Sequence, residues 1–287
     1  MHDESTEKLG LAIYAGGNHI FYVAGVLKYL FEHGLKYDAL ATYSAGGAIL
    51  PLIVSNIFDE KIEVFKKLTD NNKQNFYGTH ILSGRYPFPQ DSIYKKTILK
   101  TLDVDDIRNC EKDIRVIVST FRSTRFFAPL IAAISFIFLA FYGATKKYTK
   151  LHILRLFKYL FSIKNQVVSL NELSSKKEIV NYILGSSTIF PFIKLRKLKN
   201  EYMLDGKFSM LSPIGELRDC THVLSIHAHG TVVPDRDNLY TLFPYEKVKA
   251  GPLDYAGSES FLSAYKQGYE EGAKHFSSIK DTPFIRK

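Results

Sequence analysis

The chain has 287 residues, of which 46% are hydrophobic and 23% are charged, and its formal net charge is +9. This composition excludes a mostly disordered chain, and the length is sufficient for one large α/β domain. The two cysteines, Cys110 and Cys220, lie far apart in the sequence, which supports neither a disulfide framework nor a zinc knuckle.

The N-terminal part of the chain predicts strands that alternate with helices. A short apolar run, Leu11 to Tyr14, ends at Gly16-Gly17, and apolar residues at helical spacing follow from Val23 to His33. Leu40 to Thr42 is a second strand, and Ala45 to Ile57 is a second apolar helix. This alternation predicts βαβ units and a mostly parallel sheet covered by helices on both faces.

The rest of the chain continues this pattern around one unusual segment. Ser175 and Glu178 form a capping box that predicts a helix as far as Leu184. The predicted strands are Asp113 to Thr120, Glu201 to Leu204 and His222 to His227, and the predicted closing helix is Ser258 to Phe276.

The unusual segment combines apolar runs with positive charge. Phe126 to Ala144 carries no charged residue and has the length of a transmembrane candidate, whereas Leu151 to Ile163 has the pattern of a helix that lies in an interface. Between residues 145 and 200, twelve Lys or Arg stand against two Glu. Because these cations lie among long apolar runs, we expect an anionic membrane surface as partner rather than nucleic acid.

A serine lies between a predicted strand and a predicted helix. Tyr43, Ser44, Ala45 and Gly46 follow the second strand, which is the context of a G-x-S-x-G nucleophile elbow, although Thr42 replaces the first glycine. A serine in this position exposes its hydroxyl at a sharp turn. The alternative interpretation is that Ser44 only caps the helix.

A glycine-rich turn follows the first strand. Backbone amides at Gly16, Gly17 and Asn18, directed at the same place as Ser44, would form an oxyanion hole. A glycine-rich turn before a helix also suits a nucleotide phosphate, but the chain has neither G-x-G-x-x-G nor a P-loop lysine here.

In combination, these motifs resemble those of the patatin-like phospholipases. The glycine-rich turn runs into a helix containing Gly25-Val26-Leu27, Ser44-Ala45-Gly46-Gly47 follows, and Asp205-Gly206 ends a later strand. The segment 186–191, small residues and then a proline, also resembles the family. The resemblance covers residues 10–60 and 175–230, and the order of the motifs is more specific than any one of them.

The resemblance implies the fold and the chemistry. It implies a three-layer α/β/α sandwich with a mostly parallel central sheet, spanning residues 8–287 and containing a hydrophobic, basic insertion at 121–170. It implies a lipid acyl hydrolase of phospholipase A type, with Ser44 as nucleophile, Asp205 as general base, and no cofactor or metal. The implied substrates are membrane phospholipids or other acyl lipids. For Asp205, an ordinary Asp-Gly turn is the alternative interpretation.

Several positions depart from the family pattern. His19 replaces a basic Arg or Lys, Ala15, Ile20 and Thr42 replace glycines, and Leu211 stands where relatives have Asn. These departures allow an enzyme that is weak or depends on a protein activator. They also allow a second hypothesis, an inactive patatin scaffold that binds membranes.

The remaining histidines offer two further interpretations. A Ser-Asp-His triad would use Ser44, Asp205 and one of His227, His229 or His275, but the nucleophile comes too early in the chain for an α/β-hydrolase. His227 and His229 have metal-like spacing, yet no carboxylate or Cys completes a site nearby.

If Ser44 and Asp205 act together, a single transmembrane pass between them is excluded. We therefore expect Phe126 to Ala144 to be a membrane-dipping cap, with a buried core helix as the alternative. The polar N-terminus is not a Sec-type signal peptide, so the expected location is the cytoplasm or a membrane surface, with export by another route left open.

Overall fold

The computed structural model describes residues 7–144, 156, 158–210, 212–230 and 233–285, without the side chains of 138–144. The strands are β1 Leu9–Tyr14, β2 Ala39–Thr42, β3 Asp113–Phe121, β4 Lys164–Ser169, β5 Arg196–Leu198, β6 Glu201–Leu204, β7 His222–His227 and β8 Leu239–Leu242. The α-helices are α1 Ile20–Glu32, α2 Leu50–Ser55, α3 Asp59–Asp70, α4 Gly78–Leu82, α5 Gln90–Thr101, α6 Val104–Arg108, α7 Ala128–Ala144, α8 Lys176–Ser186 and α9 Glu259–Ile279.

The strands form one eight-stranded sheet with a parallel centre. Strands β3, β2, β1, β7 and β8 are neighbours in that order and run parallel, while β4, β5 and β6 join by antiparallel pairing. Every residue of β1 and β2 is buried. Burial on both faces is the usual state of central parallel strands, and it explains why these strands are continuous apolar runs.

The two faces of the sheet are covered differently. Leu11 and Ile13 of β1 belong to a large core shared with residues of α1, α3, α5, α8 and α9. Ala12, between them in sequence, faces the opposite side, where it packs with Ile214 and Leu217. The expected α/β fold with a mostly parallel central sheet is confirmed, and successive residues of one strand face different layers.

Strands β2 and β6 both pair with the same edge of strand β3. Arg115 pairs with both β2 and β4, and Ser119 pairs with both β4 and β6. Since a strand residue has only two pairing sides, β2 and β6 must lie on the same side of β3. Strand β2 runs parallel to β3 and β6 runs antiparallel, so their carboxyl ends point at each other across the middle of that edge.

Helix α7 lies against the sheet through its small residues and does not enter the main core. Ala128 and Ala132 pack with Leu204 and Phe208, whereas Leu130 and Ile137 are 56% and 54% exposed. Among the residues that the structure describes, no helix has the length and hydrophobicity needed to cross a membrane.

Most predicted elements agree with the structure to within a few residues. Strands β6 and β7 have the predicted bounds, and the predicted capping box is present, with the Glu178 amide donating to Ser175 Oγ at 3.2 Å. The predicted continuous helix from Ala45 to Ile57 is wrong, because a 3₁₀ helix at Ser44–Ile49 precedes α2. Most of the predicted helix from Leu151 to Ile163 lies outside the described residues.

A buried polar network joins α1 to α9. The Tyr22 hydroxyl donates to Glu271 Oε2 at 2.7 Å and lies 2.8 Å from His275 Nε2. Gln267 Nε2 and the Tyr245 amide also donate to the Glu271 carboxylate, each at 2.9 Å. A single buried carboxylate therefore satisfies three donors from different parts of the chain.

We expect Glu271→Ala to lower the free energy of unfolding by about 2 to 3 kcal/mol, because buried donors lose their acceptor. Glu270→Ala is the matched control: its side chain is 63% exposed and pairs only loosely with Lys266, at 3.7 Å. Chemical denaturation monitored by circular dichroism measures both. Equal stability of the two variants would contradict a structural role for the network.

Candidate active site

Ser44 lies at a strained turn, two residues after the end of β2. Its φ of +55° is in the left-handed region, which residues other than glycine rarely adopt. The residue is 5% exposed and begins the 3₁₀ helix that leads into α2. A strained strand-to-helix turn that carries a serine is the geometry of a nucleophile elbow.

The structure accommodates Thr42 in place of the usual glycine. Its side chain is buried, and its hydroxyl donates to the Ile13 carbonyl at 3.2 Å. The hydroxyl occupies the space where a Cβ on residue 46 would lie, since such an atom would be 1.8 Å from Thr42 Oγ1. Gly46 therefore leaves room for Thr42, and the elbow keeps its shape without the first glycine.

Asp205 follows β6 and is held by its backbone. Its amide donates to the Thr188 carbonyl at 3.0 Å, and its own carbonyl accepts from Ser119 Oγ at 2.7 Å. A Cβ on Gly206 would lie 2.5 Å from both the Ile117 carbonyl oxygen and Tyr43 Cβ. Glycine is therefore required at position 206, where the chain after β6 packs against Tyr43 and β3.

The structure places Ser44 next to Asp205, the residue with which it was predicted to act. Asp205 is 1% exposed, and its Oδ1 accepts from the Lys207 amide at 2.9 Å. Burial raises the pKa of the Asp205 carboxyl to about 6, and the neighbouring Ser44 hydroxyl and Lys207 amide oppose that rise. Oδ2 is buried and makes no hydrogen bond of ordinary geometry within the described residues.

The glycine-rich turn lies beside this pair. The Asn18 amide donates to the Pro252 carbonyl at 2.9 Å, and its side-chain amide donates to the Asp254 carbonyl. Asn18 therefore ties the turn to the segment before α9. Gly17 and Asn18 line the same cavity as Ser44.

An apolar cavity opens at Ser44. It contains about 690 Å³ of space outside the protein atoms, part of it open to solvent. Its described lining has one charged side chain, Lys61, which donates to the Pro51 carbonyl at 2.9 Å. The larger apolar lining residues are Ile20, Phe21, Leu52, Ile62, Phe65, Ile189, Ile193 and Leu253.

Two of the three candidate triad histidines, His227 and His275, make contacts with other polar residues. His275 belongs to the buried network of Tyr22, and His227 Nε2 lies 2.7 Å from Ser225 Oγ. Burial lowers the pKa of His227 and that of His229 to about 4. Within the described part of the chain, no cluster of His, Cys, Asp and Glu is arranged to hold a metal ion.

A family model for patatin-like phospholipases matches residues 11–218. The chain belongs to this family. Patatin-like proteins are in general lipid acyl hydrolases, so membership implies that class of activity. Among solved structures, VipD from Legionella pneumophila is similar at 13% identity and a TM-score of 0.43, with 95% of this chain and 67% of that chain covered. No curated protein matches the chain.

Some residues of this patatin-like site were not identified from the sequence. Ser119 is a small polar residue at the end of the apolar run of β3, and that contrast is the signal that marks it. Tyr94, whose hydroxyl lies 3.0 Å from Ser187 Oγ in the cavity wall, comes from α5 and has no recognisable motif. Leu211, one of the predicted departures, lies outside the described residues.

Proposed function

We propose that this chain is a lipid acyl hydrolase of phospholipase A type that uses Ser44 as nucleophile and Asp205 as its general base. The observation that carries the proposal is the position of the Ser44 hydroxyl. It lies between a buried carboxylate with an unpartnered oxygen and an apolar cavity. A hydroxyl in such a place has a proton acceptor on one side and space for a fatty acyl chain on the other.

The reaction proceeds in two halves. Asp205 accepts the Ser44 hydroxyl proton as the oxygen attacks the ester carbonyl, and the proton then passes to the departing alcohol, leaving an acyl group on Ser44. Asp205 next takes a proton from water, whose oxygen attacks the acyl-enzyme. The fatty acid leaves, and Ser44 recovers its proton.

The glycine-rich turn supports the developing oxyanion. Since Asn18 uses its amide on Pro252, Gly16 and Gly17 are the members of the predicted set assigned to this role. One donor of this kind contributes about 3 to 4 kcal/mol to transition-state stabilisation in well-studied hydrolases.

We expect Ser44→Ala and Asp205→Asn each to reduce hydrolysis of phospholipid in mixed micelles by at least about a thousandfold, because each removes a member of one catalytic unit. Ser92→Ala and Asp237→Asn, both at exposed positions, are the matched controls. Release of fatty acid is quantified by mass spectrometry. Unchanged release from both active-site variants would disprove the assignment.

Labelling with a fluorophosphonate probe distinguishes the main alternative. An active serine hydrolase forms an adduct at Ser44 that is absent from Ser44→Ala. If the wild-type protein forms no adduct even with anionic liposomes present, the chain is instead an inactive patatin scaffold that binds membranes.

The pH dependence of the reaction follows from the buried carboxylate. Burial raises the pKa of Asp205 to about 6, and a general base acts only when ionised. We therefore expect kcat/KM for a soluble ester to fall as the pH drops through about 6 and to level off above it. A pH–rate profile at constant ionic strength measures this. A midpoint near 3.9, the ordinary value for aspartate, would contradict the proposed role.

We further propose that α7 and the turn before it form a membrane-docking face. Phe126 is 90% exposed, and Leu130 and Ile137 lie on the exposed side of α7. Exposed Arg125 adds positive charge beside them, and Arg122 pairs with Glu201 at 3.1 Å. Apolar side chains beside cations suit a peripheral contact with an anionic bilayer.

This docking face adjoins the proposed active site. Ala128 and Ala132 on the other side of α7 pack with Leu204 and Phe208, which precede and follow Asp205. The Phe136 ring lies 5.4 Å from the ring of Phe192. A membrane bound at this face would therefore lie next to the apolar cavity.

We expect the double variant Leu130→Asp/Ile137→Asp to bind anionic liposomes at least about tenfold more weakly, because two charges replace apolar contacts in the interface. Ile57→Asp, at a position 42% exposed outside α7, is the matched control, and thermal denaturation checks the fold. Co-sedimentation with vesicles of phosphatidylglycerol and phosphatidylcholine measures binding. Equal binding by the double variant and the control would count against this face.

A further inference from the structure

The apolar cavity follows the helical segment that begins at Ser44. Ala45, Ala48 and Leu52 all line it, and they are spaced three and four residues apart. They belong to the 3₁₀ helix and to α2, which follow each other with no residue between them. Residues at this spacing share one face of a helix. The cavity therefore extends from Ser44 along this face toward the middle of α2.

Helix α3 bounds the cavity where this face ends. Ile62 and Phe65 are buried and line the cavity together with Lys61. Lys61 Nζ donates to the Pro51 carbonyl at 2.9 Å, so the side chain of Lys61 crosses from α3 to α2 beside Leu52. Lys61 is the one charged side chain among the described residues that line the cavity. A mostly apolar wall thus ends at an ammonium group.

The ammonium group of Lys61 is an unfavourable neighbour for hydrocarbon. Its side chain is 14% exposed, and Asp106, its ion-pair partner at 3.9 Å, is 41% exposed. Partial burial already lowers the pKa of Lys61, an effect that Asp106 opposes. An alkyl chain packed against this group would remove the water that remains around it, and taking water from a charge is unfavourable. The apolar path for an acyl chain therefore ends at Lys61.

The length of this path follows from helix geometry. Leu52 comes eight residues after Ser44. The rise is about 2.0 Å per residue in a 3₁₀ helix and about 1.5 Å in an α-helix, so the path is about 12 to 16 Å long. An extended alkyl chain, with bonds of about 1.5 Å that zigzag, advances about 1.25 Å per carbon. The path therefore holds about 10 to 12 carbons.

We propose that Lys61 limits the length of the acyl chain that the site accepts, so that medium-chain acyl groups of about 10 to 12 carbons are preferred to palmitoyl and longer groups. The inference rests on the proposed function and specifies the acyl group of its substrate. Up to this length, each methylene that enters the cavity raises the affinity about fourfold. Each further methylene meets the ammonium group or stays in water, so the gain stops at Lys61.

The first test is a competition between two acyl chains. Phosphatidylcholines with decanoyl and palmitoyl chains are mixed in equal amounts in detergent micelles, and mass spectrometry gives the ratio of the two fatty acids released, which is independent of the amount of active protein. We expect the wild-type protein to release at least about tenfold more decanoate, and Lys61→Met to bring the ratio to within about threefold of one, because an apolar end accepts longer chains. Lys67→Met, at an exposed position of the same helix, is the matched control and keeps the wild-type ratio.

A second variant shortens the path instead of extending it. Ala48 lies between Ser44 and Leu52 on the face that lines the cavity, so Ala48→Leu places a larger side chain across the path. We expect this variant to release at least about tenfold more hexanoate than decanoate from an equal mixture, whereas the wild-type protein releases more decanoate. Loss of stability would reduce the release of both acids equally, so it cannot produce opposite shifts in the two variants. Thermal denaturation checks the fold of each.

Binding without hydrolysis is measured in the Ser44→Ala protein. Straight-chain alkanols of increasing length displace Nile red from the cavity, which reports the affinity for the chain alone. We expect the affinity to rise about fourfold per methylene and to level off at about 12 carbons. In the double variant Ser44→Ala/Lys61→Met we expect the rise to continue beyond that length.

The outcomes separate the inference from the function on which it rests. If the wild-type protein hydrolyses the decanoyl and palmitoyl lipids equally, or if Lys61→Met keeps the wild-type ratio, Lys61 does not limit the chain, although the hydrolase proposal stands. If the wild-type protein hydrolyses neither lipid, the hydrolase proposal fails, and the alkanol series still decides the limit. A plateau that Lys61→Met removes supports it, and the same series in both proteins overturns it.

Discussion

The shared edge of β3 is the constraint on which the rest of the site depends. Strands β2 and β6 reach this edge from opposite directions and stop at its middle. The chain that follows each strand is therefore directed toward the other, and Ser44, two residues after β2, lies near the buried carboxyl of Asp205 there.

The conformation of Ser44 and the burial of Asp205 are energetically unfavourable, and contacts with neighbouring elements compensate for them. The left-handed backbone of Ser44 and the desolvated carboxyl of Asp205 both raise the energy of the folded chain. Ser119 and Thr188 hold the backbone of Asp205 from two sides, and Gly206 packs against Tyr43 so closely that no side chain fits at this position. The strain is thus borne by hydrogen bonds and close packing that do not take part in the proposed chemistry.

The features proposed to contact lipid lie near this same edge of the sheet. Helix α7 packs on the residues that flank Asp205, and the apolar cavity opens at Ser44. A lipid bound at α7 as proposed would therefore lie beside the cavity at this hydroxyl. The two features come from different parts of the chain, so their proximity is a property of the sheet rather than of any motif.

Local patterns in the chain were sufficient for strands β1, β2, β3, β6 and β7, for the elbow context of Ser44 and for the Asp-Gly turn, because periodicity and glycine placement act over a few residues. They did not predict β4, β5 or β8. They were not sufficient for the break between the 3₁₀ helix and α2, or for the use of the Asn18 amide by Pro252, since both depend on packing against distant segments. The tertiary structure alone decided that β6 meets β2 on one edge of β3, and that Tyr94 and Lys61 line the cavity. Strand order and long-range contacts leave no local trace in a sequence, because pairing partners lie tens of residues away.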